Sequence, residues 1–170
     1  MADEPAKSEI LRFKHEILDQ FGCKAALNSD AHITLIPPFW WSKIFRPVLL
    51  QTVQQITLNI NSFNIHLNGF GNFYPRVLFA KPEPNDSIIH LRNSLIFQLK
   101  PLLDDKIKDA FPFHPHVTIA NRDLLATDFQ AAWALFENRK YQSSWNCKNV
   151  TLLRHDGKRW NEEMQIPLSY

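Results

Sequence analysis

Two cysteines in 170 residues, Cys23 and Cys147, are too few for a disulfide framework and read as free, partly buried thiols. No run of 18 apolar residues occurs, which excludes an ordinary membrane-spanning helix. The opening Met1-Ala2-Asp3-Glu4-Pro5 lacks the basic start and apolar stretch of a secretory signal, so the expectation is a soluble, cytoplasmic protein. Charge of one sign is also missing. Nineteen Lys and Arg against seventeen Asp and Glu leave a net charge of +2, too weak a field for a protein that tracks long nucleic acid. A small or terminal phosphate ligand stays open. No Pro/Ser/Gly linker or low-complexity tract divides the chain, and only Lys81-Pro82-Glu83-Pro84-Asn85-Asp86 reads as a turn between halves. With 45% apolar residues the chain suits a single domain over 1–170, built from two repeats of roughly 1–84 and 85–170.

Against these absences stands a repeated motif. His32-Ile33-Thr34-Leu35-Ile36 and His116-Val117-Thr118-Ile119-Ala120 each place a histidine two residues before a threonine on an apolar run. On a strand such a pair shares one face while Ile33 with Leu35, or Val117 with Ile119, packs on the other. One copy is an ordinary strand. Two copies 84 residues apart are more, because the neighbouring elements fall into step at the same offset.

Before the first motif, residues 8–21 set Ile10, Leu11, Phe13, Ile17, Leu18 and Phe21 at helical spacing, with Gly22 as the stop. Before the second, residues 87–103 do the same with Ile88, Leu91, Leu95, Leu99 and Leu102, after Asp86 or Ser87 as the cap. After the first motif come Phe45, Val48, Leu49 and Val53, with Pro47 in the first turn. After the second, Thr127 and Gln130 fit a capping box leading into Phe129, Trp133 and Phe136. Strands are predicted near 56–67 and 76–81, then near 148–154 and 163–168. Each half therefore reads helix, His-containing strand, helix, strand, strand, an α+β duplication.

Two histidines and two threonines on one cleft suit phosphodiester chemistry. One imidazole takes a proton from the attacking oxygen and another gives one to the departing oxygen, both titrating near neutrality. Hydroxyls of Thr34 and Thr118 would donate to the non-bridging oxygens as charge develops there, and a β-branched side chain holds each in place.

These motifs, with Pro115 before His116 and Ala120-Asn121-Arg122 after it, resemble the 2H phosphoesterase superfamily. The branch most similar is that of bacterial 2'-5' RNA ligases and 2',3'-cyclic nucleotide phosphodiesterases. Gly69-Phe70-Gly71-Asn72-Phe73 and Arg76-Val77-Leu78-Phe79 extend the likeness between the motifs. The resemblance implies a bilobal α+β fold with a pseudo-twofold axis and two antiparallel sheets facing a central cleft. It also implies metal-independent catalysis without a cofactor, by His32, Thr34, His116 and Thr118, on a small nucleotide or RNA terminus, by a monomer. For hydrolysis of a 2',3'-cyclic phosphate, His116 is expected as general base and His32 as general acid, with the roles exchanged in ligation. Family members often carry a basic residue directly after the position of Ala120; here Asn121 intervenes before Arg122, which parity places either on the His116 face or, if the strand stops, on the surface.

Further substrate contacts are expected from flanking residues, each with a plainer alternative. In Pro37-Pro38-Phe39-Trp40-Trp41 the aromatics Phe39, Trp40 and Trp41 suit base stacking beside the cleft, or simply cover the core at a lobe edge. Tyr74 and Arg76 suit an aromatic and a phosphate contact, or a surface turn. His114-Pro115-His116 offers two ring nitrogens on one face, but no carboxylate or thiol at ligand spacing accompanies them, so no metal is expected. A noncatalytic module binding RNA ends or nucleotides in the same cleft is the alternative function; it gives no reason for two proton-transfer groups.

Overall fold

The computed structural model describes residues 1–40, 42–103 and 112–169. Helix α1 (Ala6–Phe21) buries Ile10, Phe13 and Ile17 and ends at Gly22, whose φ of 69° lets its N–H close onto the Leu18 carbonyl. Helix α2 (Arg46–Thr57) carries its proline in the first turn and buries Leu49, Val53, Ile56 and Thr57. Strands β1 (Phe63–Phe73) and β2 (Val77–Pro82) form an antiparallel hairpin. Helix α3 (Asp86–Leu103), strand β3 (Val117–Ala120), helix α4 (Phe129–Ala134) and strands β4 (Gln142–Cys147), β5 (Asn149–His155) and β6 (Trp160–Pro167) follow.

The strands form an antiparallel sheet ordered β3-β2-β1-β4 and a second hairpin, β5-β6. One core lies between the first sheet and α1 and α4, centred on Phe13, Phe70, Phe136 and Tyr141. The other lies between α2, α3 and the β5-β6 hairpin, with Leu49, Val53, Leu91, Leu95, Leu99 and Ile166. The first sheet draws β1 and β2 from the first half and β3 and β4 from the second, so strand pairing interleaves the repeats. Among the described residues no helix is long and apolar enough to cross a membrane.

Several expectations need correction. The segment near 56–67 is not one strand: Ile56 and Thr57 still belong to α2, and β1 starts at Phe63, because Leu49, Val53 and Ile56 keep the three-to-four spacing of a buried helical face. Strand β4 was not expected, since Gln142-Ser143-Ser144-Trp145-Asn146-Cys147 buries only Trp145; six paired positions on β1 hold it. Asn85, rather than Asp86 or Ser87, caps α3, its Oδ1 accepting from the Ile88 N–H at 3.0 Å. The Thr127/Gln130 capping box does not form; Asp128 is the N-cap of α4 and gives no side-chain cap bond, while Thr127 Oγ1 donates to Asp128 Oδ1 at 3.3 Å. The first motif is not a full strand either. Its only ladder contact is an antiparallel bridge between Ile33 and Val117, with a bend at Leu35 and Ile36 just before Pro37 and Pro38, which have no N–H to extend a ladder.

Candidate active site

That single bridge organises the site. Ile33 and Val117 are the same position of the two repeats, so the chain pairs an element with its own counterpart, as a twofold axis through the bridge requires. Antiparallel register on either side then sets His32 across from Thr118, and Thr34 across from His116. Ile33 and Val117 turn into the core, and the four polar side chains line one cleft of about 810 Å3, within the range of small-molecule sites.

The symmetry extends to the imidazoles. Nδ1 of His32 lies 2.7 Å from the Asp30 carbonyl oxygen, and Nδ1 of His116 lies 2.7 Å from that of His114. Asp30 and His114 are again 84 residues apart. A carbonyl only accepts, so each Nδ1 carries a proton, and Nε2 is left as the nitrogen available to a ligand. Burial lowers the pKa of both histidines below the ordinary value, opposed in each by the backbone carbonyl. The charges of Lys14, the N-terminal amine and His116 lower His32 further, while His114 does so for His116.

Neighbouring elements fix these side chains. Gly71 stands directly across from Phe79 in the β1-β2 ladder, and a Cβ at Gly71 would lie 2.5 Å from the Phe79 ring. Phe79 occupies that space, packs on Phe73 with ring centres 4.6 Å apart, and reaches the His116 ring at 5.4 Å. Phe73 meets His116 edge-on at 5.1 Å. On the other side, Asp123 Oδ2 accepts from the backbone N–H groups of Lys24 and Ala25 at 2.7 and 2.8 Å, tying the chain after the second motif to the turn that leads into the first.

Of the sequence candidates, His32, Thr34, His116, Thr118, Phe39 and Arg122 all line the cleft. Arg122 reaches it by a route parity did not foresee: β3 stops at Ala120, and a left-handed turn, φ 22° at Arg122, brings the residue round. Trp40 is 93% exposed and lies off the cleft. Tyr74 and Arg76 sit at the exposed tip of the β1-β2 hairpin, Tyr74 resting edge-on against Phe129 at 5.2 Å, and neither lines the cleft. Trp41 lies outside the described residues. Sequence reasoning missed Ser42, Lys43, Arg46, Arg154, Trp160 and Glu163, which line the far end of the cleft. Nothing in their spacing marks them, since α2 and the β5-β6 hairpin meet only in three dimensions. Among the described residues, no three His, Cys, Asp or Glu side chains converge as a metal site.

An α+β protein whose paired His-x-Thr segments meet about a local twofold axis falls among the two-histidine phosphoesterases in its architecture. The family comparison agrees: residues 2–159 match the model of the 2'-5' RNA ligase superfamily, and the chain belongs to that superfamily, that of the 2H phosphoesterases, with a phosphoesterase-type function. Among solved structures it is similar to E. coli LigT in apo form (TM-score 0.72, 18% identity, covering 100% of this chain and 94% of that one). It is likewise similar to TT0787 of Thermus thermophilus (TM-score 0.70, 19% identity, 98% and 93%). E. coli LigT complexed with ATP aligns with a TM-score of 0.68 at 21% identity, covering 99% of this chain and 95% of that one. No curated protein matches.

Proposed function

We propose that the protein is a metal-independent cyclic phosphodiesterase that opens 2',3'-cyclic phosphates of RNA ends or small nucleotides, with His32, Thr34, His116 and Thr118 as its catalytic residues. The observation that carries this reading is the matched pair of Nδ1–carbonyl bonds, which fixes the tautomer of both histidines and leaves both Nε2 atoms for proton transfer. In hydrolysis, Nε2 of His116 takes a proton from water as its oxygen bonds to phosphorus. The P–O3' bond breaks, Nε2–H of His32 protonates O3', and a 2'-phosphate remains. In ligation the histidines exchange roles.

The two threonine hydroxyls donate to the non-bridging oxygens, each beside the other half's histidine, and Arg122 supplies a cation on the same cleft. Both half-sites come from one chain, so a monomer is complete, and the cytoplasm is the compartment we assign to it. The nucleotides bound to LigT, 3'-AMP and ATP, are of the chemical class this cleft is proposed to take.

The test is phosphorus NMR of adenosine 2',3'-cyclic phosphate incubated with the protein in chelator, beside His116→Ala. The expected result is a 2'-phosphate signal that falls by about a hundredfold or more in the variant. Equal turnover by wild type and a His32→Ala/His116→Ala double variant refutes the reading.

A further inference from the structure

The cleft does not end at the histidines. On its other wall the N-terminus of α2 meets the β5-β6 hairpin, and there Glu163 accepts a hydrogen bond from Arg46 Nε at 2.7 Å and forms an ion pair with Arg154, Oε2 lying 3.3 Å from Nε. A register shift creates this arrangement: Leu152 pairs with Met164 and Leu153 with Glu162, leaving Glu163 as the extra residue of a β-bulge. Bulges re-aim a side chain, and this one turns a carboxylate, 22% exposed, between two guanidinium groups that are 42% and 62% exposed. Because Glu163 engages Nε of each arginine, their Nη atoms have no hydrogen-bond partner among the described residues.

Charge balance gives the arrangement a purpose. Lys43, Arg46, Arg122 and Arg154 line the cleft against Glu163 alone, a side-chain charge of +3 where the whole chain carries +2. A terminal 2',3'-cyclic phosphate is a monoanion, and Arg122 together with the paired hydroxyls is sufficient for it. The surplus lies on the opposite wall, held in a fixed orientation and facing the same 810 Å3 space. Arginine is suited to this role because its planar fork binds two phosphate oxygens at once.

We propose that Arg46 and Arg154, oriented by Glu163, form a second phosphate-binding subsite, so that the favoured substrate carries another phosphate besides the cyclic one. This rests on the phosphoesterase reading above and names its substrate class. The second phosphate is either the internal phosphodiester of an oligoribonucleotide or a terminal phosphate on a mononucleotide; the chemistry recognised is the same.

The experiment compares kcat/KM for adenosine 2',3'-cyclic phosphate, its 5'-phosphorylated form, and the dinucleotide ApA ending in a 2',3'-cyclic phosphate. Wild type is set beside Arg46→Ala, Arg154→Ala and the corresponding lysine variants. In the alanine variants the ratio of kcat/KM for a two-phosphate substrate to that for the one-phosphate substrate is expected to fall about tenfold or more. Lysine, retaining charge without the fork, restores it partly. A fall confined to the dinucleotide identifies the internal phosphodiester, and one confined to the 5'-phosphorylated compound identifies the terminal phosphate. A ratio within twofold of wild type for both substrates overturns the subsite while leaving the phosphoesterase reading intact. If wild type turns over none of the three, the phosphoesterase reading fails instead. The subsite is then decided by calorimetric binding of ApA 2'-phosphate against adenosine 2'-phosphate, where the same tenfold loss of preference is required.

Discussion

Lys14 puts a charge where the fold would be more stable without one, and the size of that effect can be worked out. The residue lies on α1, only 4% exposed, and its Nζ donates to the Ser29 carbonyl at 2.7 Å. Burial pulls its pKa down from 10.5 to about 8, against the opposing charge of Asp30. At 1.36 kcal/mol per pH unit, carrying the charged form in the folded state at neutral pH costs about 3 kcal/mol. The sign follows from proton counts. Below pH 8 both folded and unfolded chains hold the proton and the penalty is constant. Between about 8 and 10.5 the unfolded chain holds more protons, so stability rises with pH, and most of the penalty, about 2–3 kcal/mol, has been recovered by pH 10.

Lys14→Met removes the titration altogether. Its stability relative to wild type is therefore expected to decline by about 2–3 kcal/mol between pH 7 and pH 10, read from urea unfolding by tryptophan fluorescence. Taking the difference between the two proteins cancels the other groups that titrate in this range. At pH 7 the variant loses the bond to Ser29 O, worth about 1.5–3 kcal/mol for a charged donor, so it is expected to match wild type or exceed it by up to about 2 kcal/mol. A stability difference that is the same at pH 7 and pH 10 refutes the reasoning. The location explains why such a group is kept: Ser29 opens the segment in which the Asp30 carbonyl accepts from His32 Nδ1, and Lys7 pairs with the Asp30 carboxylate at 3.0 Å. Lys14 thus ties down the residue before the one whose carbonyl holds the His32 ring, and its charge also disfavours the imidazolium of His32.

The pH dependence of kcat/KM on adenosine 2',3'-cyclic phosphate should be bell-shaped with its maximum below about pH 6.5, since burial lowers both histidines and the profile reports the free enzyme. Activity falls above that maximum as the general acid loses its proton and below it as the base gains one; an optimum above pH 7.5 contradicts the assignment. Gly71→Ala places a methyl carbon 2.5 Å from the Phe79 ring, and the displaced ring should destabilise the fold by about 1–3 kcal/mol in urea unfolding. The same variant should lower kcat more than it raises KM, because Phe79 packs on His116; wild-type stability and kcat together would show that the ring yields freely.

How much of this was legible in the sequence depends on range. The 84-residue offset was enough to mark both His-x-Thr segments, because a period-two face and a repeated element order are local signals that survive without coordinates. The same offset relates Ile33 and Val117, the two residues that bridge, and positions 30 and 114, whose carbonyls hold the imidazoles. A duplicated segment that meets its own copy must do so about a twofold axis, and an antiparallel crossing then puts each histidine beside the other copy's threonine. The cleft's second wall left no such trace. Arg46 sits on a helix of the first half, Arg154 and Glu163 on a hairpin of the second, and the carboxylate faces the arginines only because one residue of β6 bulges out of register. Symmetry therefore made the paired histidines and threonines readable, whereas Arg46, Arg154 and Glu163 lie where the two halves differ. That division is what the proposed two-histidine mechanism requires: under it the repeat supplies two interchangeable proton-transfer groups, and selectivity has to come from residues that break the repeat.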